Sequence, residues 1–235
     1  MGYVVMEQVR LVVRGLQDDA PVVYVVGSSE HPFDFAEVLP ELAATVVAVP
    51  VISWNDALTP WPAQALYRGE EPFGGHAVTT LNELVNEAIP AIEKGLGLAP
   101  RSRAVCGYSL GGLFALYALV QTEAFVACAS ISASMWYEGW TDYLDGLDVD
   151  LRGRFAYLSI GTKEKRAARP ILKTSQSKME ECVRILEQKG CAVCYQTGPG
   201  NHMQHMGERF VAGLVYLDQA LNSVMDATSA LHQSV

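Results

Sequence analysis

Short apolar runs, rich in Val and Ile and too brief for helices, recur along the chain with helical patterns between them. The strand candidates are residues 22–26, 45–51, 103–107, 125–131, 155–160 and 191–196, and an N-terminal hairpin or edge strand holding Val4, Val5, Val12 and Val13 is expected before them. Helical spacing is clearest in Leu81, Leu84, Val85, Ala88, Ile89 and Ile92, in Met179, Cys182, Val183 and Leu186, and in Phe210, Leu214, Leu217 and Leu221. This alternation predicts an α/β fold of three layers, with a mostly parallel central sheet, helices on both faces and no large cap domain. Functional groups in such a sheet gather on loops at the carboxyl ends of the strands. Most loops are short, but residues 52–76 run past the ordinary connection length without periodicity, as functional loops do. The tail after about Ala227 is expected to fray.

Nineteen residues from Ala104 to Thr122 carry no charge, a length that invites comparison with a membrane span. Gly107, Ser109, Gly111 and Gly112 divide the stretch into a strand, a tight turn and a helix, so it reads as the buried centre of a globular protein. With 50% apolar and 18% charged residues among 235, the chain has material for a sizeable core and is not disordered. Nothing resembles a linker, so one domain over residues 1–235 is expected. Seventeen Lys and Arg against 26 Asp and Glu give a net charge of -9, which opposes nucleic acid and anionic membrane surfaces as partners. Oligomeric state is not fixed, and a homo-oligomer stays open. The five cysteines form no disulfide-scaffold pattern, and a reducing cytoplasm suits them. Glu7 and Arg10 interrupt the opening apolar stretch and no small-residue cleavage site follows, so no signal peptide is expected; Met6 stands where a myristoylation signal needs a hydroxyl.

The chemistry concentrates in Gly107-Tyr108-Ser109-Leu110-Gly111, a G-x-S-x-G sequence between a strand and an apolar helix. Such a turn holds the serine at a strained backbone position that lifts its hydroxyl out of the sheet edge, and flanking glycines remove side chains that would collide. The helix that starts there points N–H groups and the positive end of its dipole at an oxyanion, with Leu110 N–H as first donor. A serine hydroxyl needs a base, and in this arrangement acid and histidine follow the serine in that order. Past the last strand, Gly200-Asn201-His202 sets an imidazole on a turn before the final helix. His202 is the preferred base, with His205 as the alternative that more naturally neighbours the helix near Gly207. His31 and His76 come too early for the base and stay open as lining residues. The strand 155–160 leads into Gly161-Thr162-Lys163-Glu164, which makes Glu164 the acid candidate ahead of Asp142, Asp145 and Asp148. A second oxyanion donor is expected at the backbone of Gly27 or Ser28, after an early strand.

Three stretches together, Val105-Cys106-Gly107-Tyr108-Ser109-Leu110-Gly111-Gly112-Leu113-Phe114-Ala115, Ser132-Ala133-Ser134-Met135-Trp136 and Gly200-Asn201-His202, resemble the putative esterase family of the α/β hydrolase superfamily, with its esterase D-like and enterochelin esterase-like members. The likeness covers most of the chain. The segment from Trp54 to Ala63, with Phe73-Gly74-Gly75 downstream, looks like a branch of small cytoplasmic members. The resemblance implies a serine hydrolase of carboxylic esters with Ser109, Glu164 and His202 as triad. Relatives often carry Asp at the acid position and a more acidic or glycine-rich early loop, where this chain has Glu164 and Gly27-Ser28-Ser29-Glu30.

Trp54, Trp61, Phe73, Trp136, Tyr137 and Trp140 fall on loops at the same edge and are expected to wall a substrate pocket, with Trp54, Trp61 and Trp136 assigned to the substrate. Asp56 either binds a substrate hydroxyl or caps a turn. Cys191-Ala192-Val193-Cys194 has zinc or redox spacing, yet it occupies a strand and lacks a second pair, so core packing is expected. No P-loop or dinucleotide fingerprint is present, and no cofactor or metal is implied. The expected function is hydrolysis of a small-molecule ester through an acyl-enzyme. An acyltransferase or thioesterase on the same residues, or a non-catalytic binding protein on the same scaffold, are the alternatives.

Overall fold

The computed structural model describes residues 2–30 and 39–232, with side chains described through residue 223. Seven strands, β1 (Arg10–Val13), β2 (Val22–Ser28), β3 (Thr45–Val51), β4 (Arg103–Tyr108), β5 (Ala127–Ile131), β6 (Phe155–Gly161) and β7 (Ala192–Gly198), form one sheet in the order β1-β3-β2-β4-β5-β6-β7. Only β1 runs antiparallel, against β3; the other pairings are parallel. The helices are α1 (Trp54–Ala57), α2 (Ala77–Glu83), α3 (Ile89–Leu96), α4 (Leu110–Gln121), α5 (Trp140–Gly146), α6 (Pro170–Lys173), α7 (Ser175–Gln188) and α8 (Met206–His232). These elements make the three-layer α/β hydrolase arrangement, and no large cap stands among the described residues.

The valine-rich strands are buried on both faces because alternate side chains enter different layers. Val22, Tyr24 and Val26 belong to the core layer that also holds residues of α2, α3, α4 and α7, while Val23 and Val25 belong to the layer that holds Phe210, Leu214, Leu217 and Leu221 of α8. Every residue from Leu110 to Val120 is buried, which accounts for the uncharged stretch. Among the described residues no helix is long and apolar enough to cross a membrane. The helical pattern from Leu81 to Ile92 is broken by a π-helical turn at Leu84–Ala88. Pro90 explains it: proline has no N–H to give the carbonyl one turn back, and the wider turn absorbs the mismatch.

The structure refines three sequence expectations. The N-terminus makes an edge strand without a hairpin: Val12 and Val13 lie in β1, but Val4 forms only an isolated bridge to Val51 and Val5 donates to Pro50 O. The fifth strand starts at Ala127, two residues late, with the Phe125 ring in the core. Finally, α8 continues past Ala227 to His232.

The chain leaves β2 for β3 on one side and returns to β4 on the other, so the carboxyl ends of β2 and β4 border the switch-point crevice of the sheet. Residues 52–76, which join β3 to α2, reach this edge in a folded form. Thr59 organises them, its carbonyl accepting from Ala77 N and its hydroxyl donating to Asn55 O and accepting from Gly75 N. Asp56 sits against Gly74, where an added Cβ would lie 2.2 Å from Oδ1, a packing role within the loop.

Candidate active site

Between the last residue of β4, Tyr108, and the first of α4, Leu110, Ser109 alone makes the turn, at φ 57° and ψ -120°. Positive φ is costly for a residue with a Cβ and persists only where surroundings enforce it. Here Ser109 N–H donates to Ile131 O at 3.0 Å, and Ser109 O accepts from Leu113 N at 3.1 Å and Ser134 N at 3.0 Å. The turn also needs its glycines. A Cβ on Gly107 would lie 2.2 Å from Gly111 O, and one on Gly112 would lie 2.8 Å from Ala133 Cβ. At Gly111 a Cβ would meet Trp54 Cη2 and Val26 O at 3.2 Å, so Trp54 presses directly on the turn.

The structure brings His202 and Glu164 to this serine. His202 Nε2 lies 3.1 Å from Ser109 Oγ, and its Nδ1 lies 3.0 Å from Glu164 Oε2. The imidazole side chain is 38% exposed and the carboxylate only 5%. Burial pushes the Glu164 carboxyl up, but its bond to His202, the His202 charge, the Gly161 N–H and Ser132 together hold it below the ordinary range. Tyr108 anchors the histidine loop, its hydroxyl donating to His202 O and its ring 5.2 Å from the imidazole. Burial raises the Tyr108 phenol, which keeps it a neutral donor.

The rival residues are placed elsewhere. Asp142 and Asp145 lie on α5, and Asp148 follows it. His205, at φ 57°, pairs with Glu208 at 2.8 Å on the exposed start of α8. His76 stacks on Tyr3, and His31 lies outside the described residues. Cys191 and Cys194 enter opposite layers of the sheet, so they cannot share a metal ion.

For the oxyanion donors, Leu110 N–H is first in α4 and has no acceptor within its own helix. Along β2, N–H groups alternate between neighbours: Val22 donates to Ser102 on the β4 side, and Ser29, just past the strand, donates to Val51 on the β3 side. By that alternation Ser28 N–H lies on the β4 side of the strand, whereas Gly27 N–H belongs to the β3 ladder. Gly27 has a different consequence. A Cβ built there meets nothing within 4 Å among the described residues, so the glycine leaves room open to the adjoining cavity.

That cavity, of about 500 Å³, touches Ser109 and is walled mainly by Val26, Val49, Pro50, Trp54, Met206 and Phe210. Of the three tryptophans assigned to the substrate, only Trp54 lines it. Trp61 donates its indole N–H to Glu138 O and packs edge-on to Tyr143 at 5.1 Å, while Trp136 packs with Phe73 at 6.2 Å. Trp140, Tyr137 and Phe73 are buried in the core. The expected wall of six loop aromatics is thus corrected to Trp54 alone among them, joined by Tyr108, Phe210 and apolar neighbours, because the other rings bury their area by packing on one another.

Arg209 on α8 escaped the sequence reading altogether. Its side chain is 6% exposed, and Nη1 donates to Glu164 Oε1 at 2.8 Å. The remaining donors reach Ser132 Oγ, Asn201 O, Gln204 O and His205 O.

The family model described as "Putative esterase" matches residues 20–205. A protein of Bacillus subtilis (strain 168), Uncharacterized protein YbbA, is 28% identical over an alignment of 187 residues that covers 76% of this chain and 74% of that protein. Among solved structures, the fold is similar to an IroE-like serine hydrolase from Shewanella oneidensis, with a TM-score of 0.70 at 19% identity over 86% of this chain and 72% of that one. Siderophore hydrolase EstA from Aspergillus nidulans gives a TM-score of 0.65 at 18% identity over 91% and 89% of the two chains. With most of its length matched by that family model, the chain belongs to the Putative esterase family, and its fold is the one these serine and siderophore hydrolases share.

Proposed function

We propose that the chain is a serine hydrolase of small-molecule carboxylic esters that works through an acyl-enzyme. The observation that carries this reading is the unbroken relay from Ser109 Oγ through His202 to Glu164, at 3.1 and 3.0 Å, starting from a serine in a strained turn. Ser109 Oγ attacks the ester carbonyl carbon as His202 Nε2 takes its proton. Glu164 holds Nδ1–H and stabilises the imidazolium. The tetrahedral oxyanion is met by Leu110 N–H and Ser28 N–H beside the positive end of α4. The intermediate collapses, the C–O bond to the alcohol breaks, and the alkoxide leaves with the proton from His202. Water then attacks the acyl carbon with His202 as base, which releases the carboxylic acid and restores Ser109. Membership of an esterase family supports the ester as substrate class.

The apolar wall around Trp54 and Phe210 supports an ester with an aliphatic or aromatic arm in the cavity. Each methylene buried there adds about 0.8 kcal/mol, roughly fourfold in kcat/KM. Two ester series, one lengthening the acyl group and one the alcohol, should show that rise in one of them. Gly27→Leu occupies the open space and should lower the long-to-short ratio of that series by about tenfold or more. Ratios unaffected by chain length and by Gly27→Leu would remove the cavity from the substrate path.

A further inference from the structure

We propose that Arg209 is a positioning residue that holds the acid and the base of the relay in register from one rigid helix and sets the charge that His202 feels. The inference rests on the ester-hydrolase reading and adds a fourth member that touches no substrate. A guanidinium has five N–H donors, and here all five have acceptors. Nε faces His205 O at 3.4 Å; Nη1 serves Glu164 Oε1 and Ser132 Oγ; Nη2 serves Asn201 O at 2.8 Å and Gln204 O. These acceptors are the acid itself, the segment after β5, and backbone carbonyls on both sides of His202. The fit is tight, since a Cβ on Gly161 would lie 2.6 Å from Gly200 O and 3.2 Å from both Arg209 Nη1 and Glu164 Oε1. A buried arginine is expensive to desolvate and is stable only when its whole fork is matched.

The two carboxylate oxygens of Glu164 are divided. Oε1 takes Arg209 and Gly161 N–H, and Oε2 takes His202. The cation and the Gly161 amide engage Oε1 and leave Oε2 to His202, so the carboxylate is held in one orientation toward Nδ1. Among the described residues, the charged and titratable groups around His202 are Glu164 after β6, Tyr108 and Ser109 at the end of β4, Arg209 and Glu208 on α8, and His205 on its own loop.

The test is kcat/KM against pH for one p-nitrophenyl ester, with active sites counted by fluorophosphonate titration so that misfolded protein drops out. In Arg209→Gln the acid limb should move to higher pH by about one unit, because a nearby positive charge that opposed His202 protonation is gone. The per-site kcat should fall by roughly 10 to 100-fold with a smaller change in KM, the scale of a misplaced base. Arg209→Lys should return the limb to its native position while kcat stays at least about fivefold low, since an ammonium keeps the charge but not the fork. A purely structural arginine would reduce the number of active sites and leave limb and per-site kcat alone, and that result overturns the proposal. Should Arg209→Gln not fold, Arg209→Lys decides, a native per-site kcat overturning it. Absence of turnover in the unsubstituted protein would overturn the hydrolase reading itself, a separate failure.

Discussion

Replacing Ser109 with alanine is expected to lower ester turnover by about 10⁴-fold or more while the protein stays folded. The two effects separate because different atoms are responsible. The turn is held by Ser109 backbone groups, bonded to Ile131 O, Leu113 N and Ser134 N, and all three bonds survive in alanine. Only the hydroxyl contacts to His202 at 3.1 Å and Ser134 at 3.5 Å are lost. A thermal melt should place the variant within about 1 kcal/mol of the parent. Turnover that persists above about one hundredth of the parent value would show that ester cleavage does not pass through this oxygen.

His202→Ala should cost about 10⁴-fold in kcat, and His205→Ala no more than a few fold. Three residues separate these histidines, yet their surroundings differ. His202 stands between Ser109 and the buried Glu164, whereas His205 pairs with Glu208 on the surface, where such pairs contribute little. Parallel kinetics on the two variants check this, and an inactive His205→Ala beside an active His202→Ala would reverse the assignment of the base.

The parallel sheet was legible because strand runs rich in Val and Ile are a local signal, and β3 keeps its sequence-derived bounds, Thr45–Val51. Ser109, Glu164 and His202 were legible as candidates for the same reason, each following directly on a recognisable strand. What stayed hidden depends on how elements cross. Arg209 stands beside Phe210 at the start of α8, where a sequence reading sees a solvated helix turn. One turn on, Gly213 marks the close approach: a Cβ there would lie 2.9 Å from Ile131 Cδ1. A glycine inside a helix, one turn from an arginine, was the signal available. The tryptophans show the same limit, since loop placement does not separate Trp54, which borders the cavity, from Trp61, whose ring packs with Tyr137, Trp140 and Tyr143. Choosing Ser28 over Gly27 as the amide on the β4 side required the hydrogen-bond alternation of β2, which exists only once its neighbours are known.

Reaction with a fluorophosphonate, followed by intact mass and peptide mapping beside a heat-denatured control, tests the activated serine most directly. One adduct, on Ser109, lost on denaturation, is the expected result. A folded protein that takes up no label, or takes it up at another residue, would contradict the proposed relay and leave the scaffold as a binding protein.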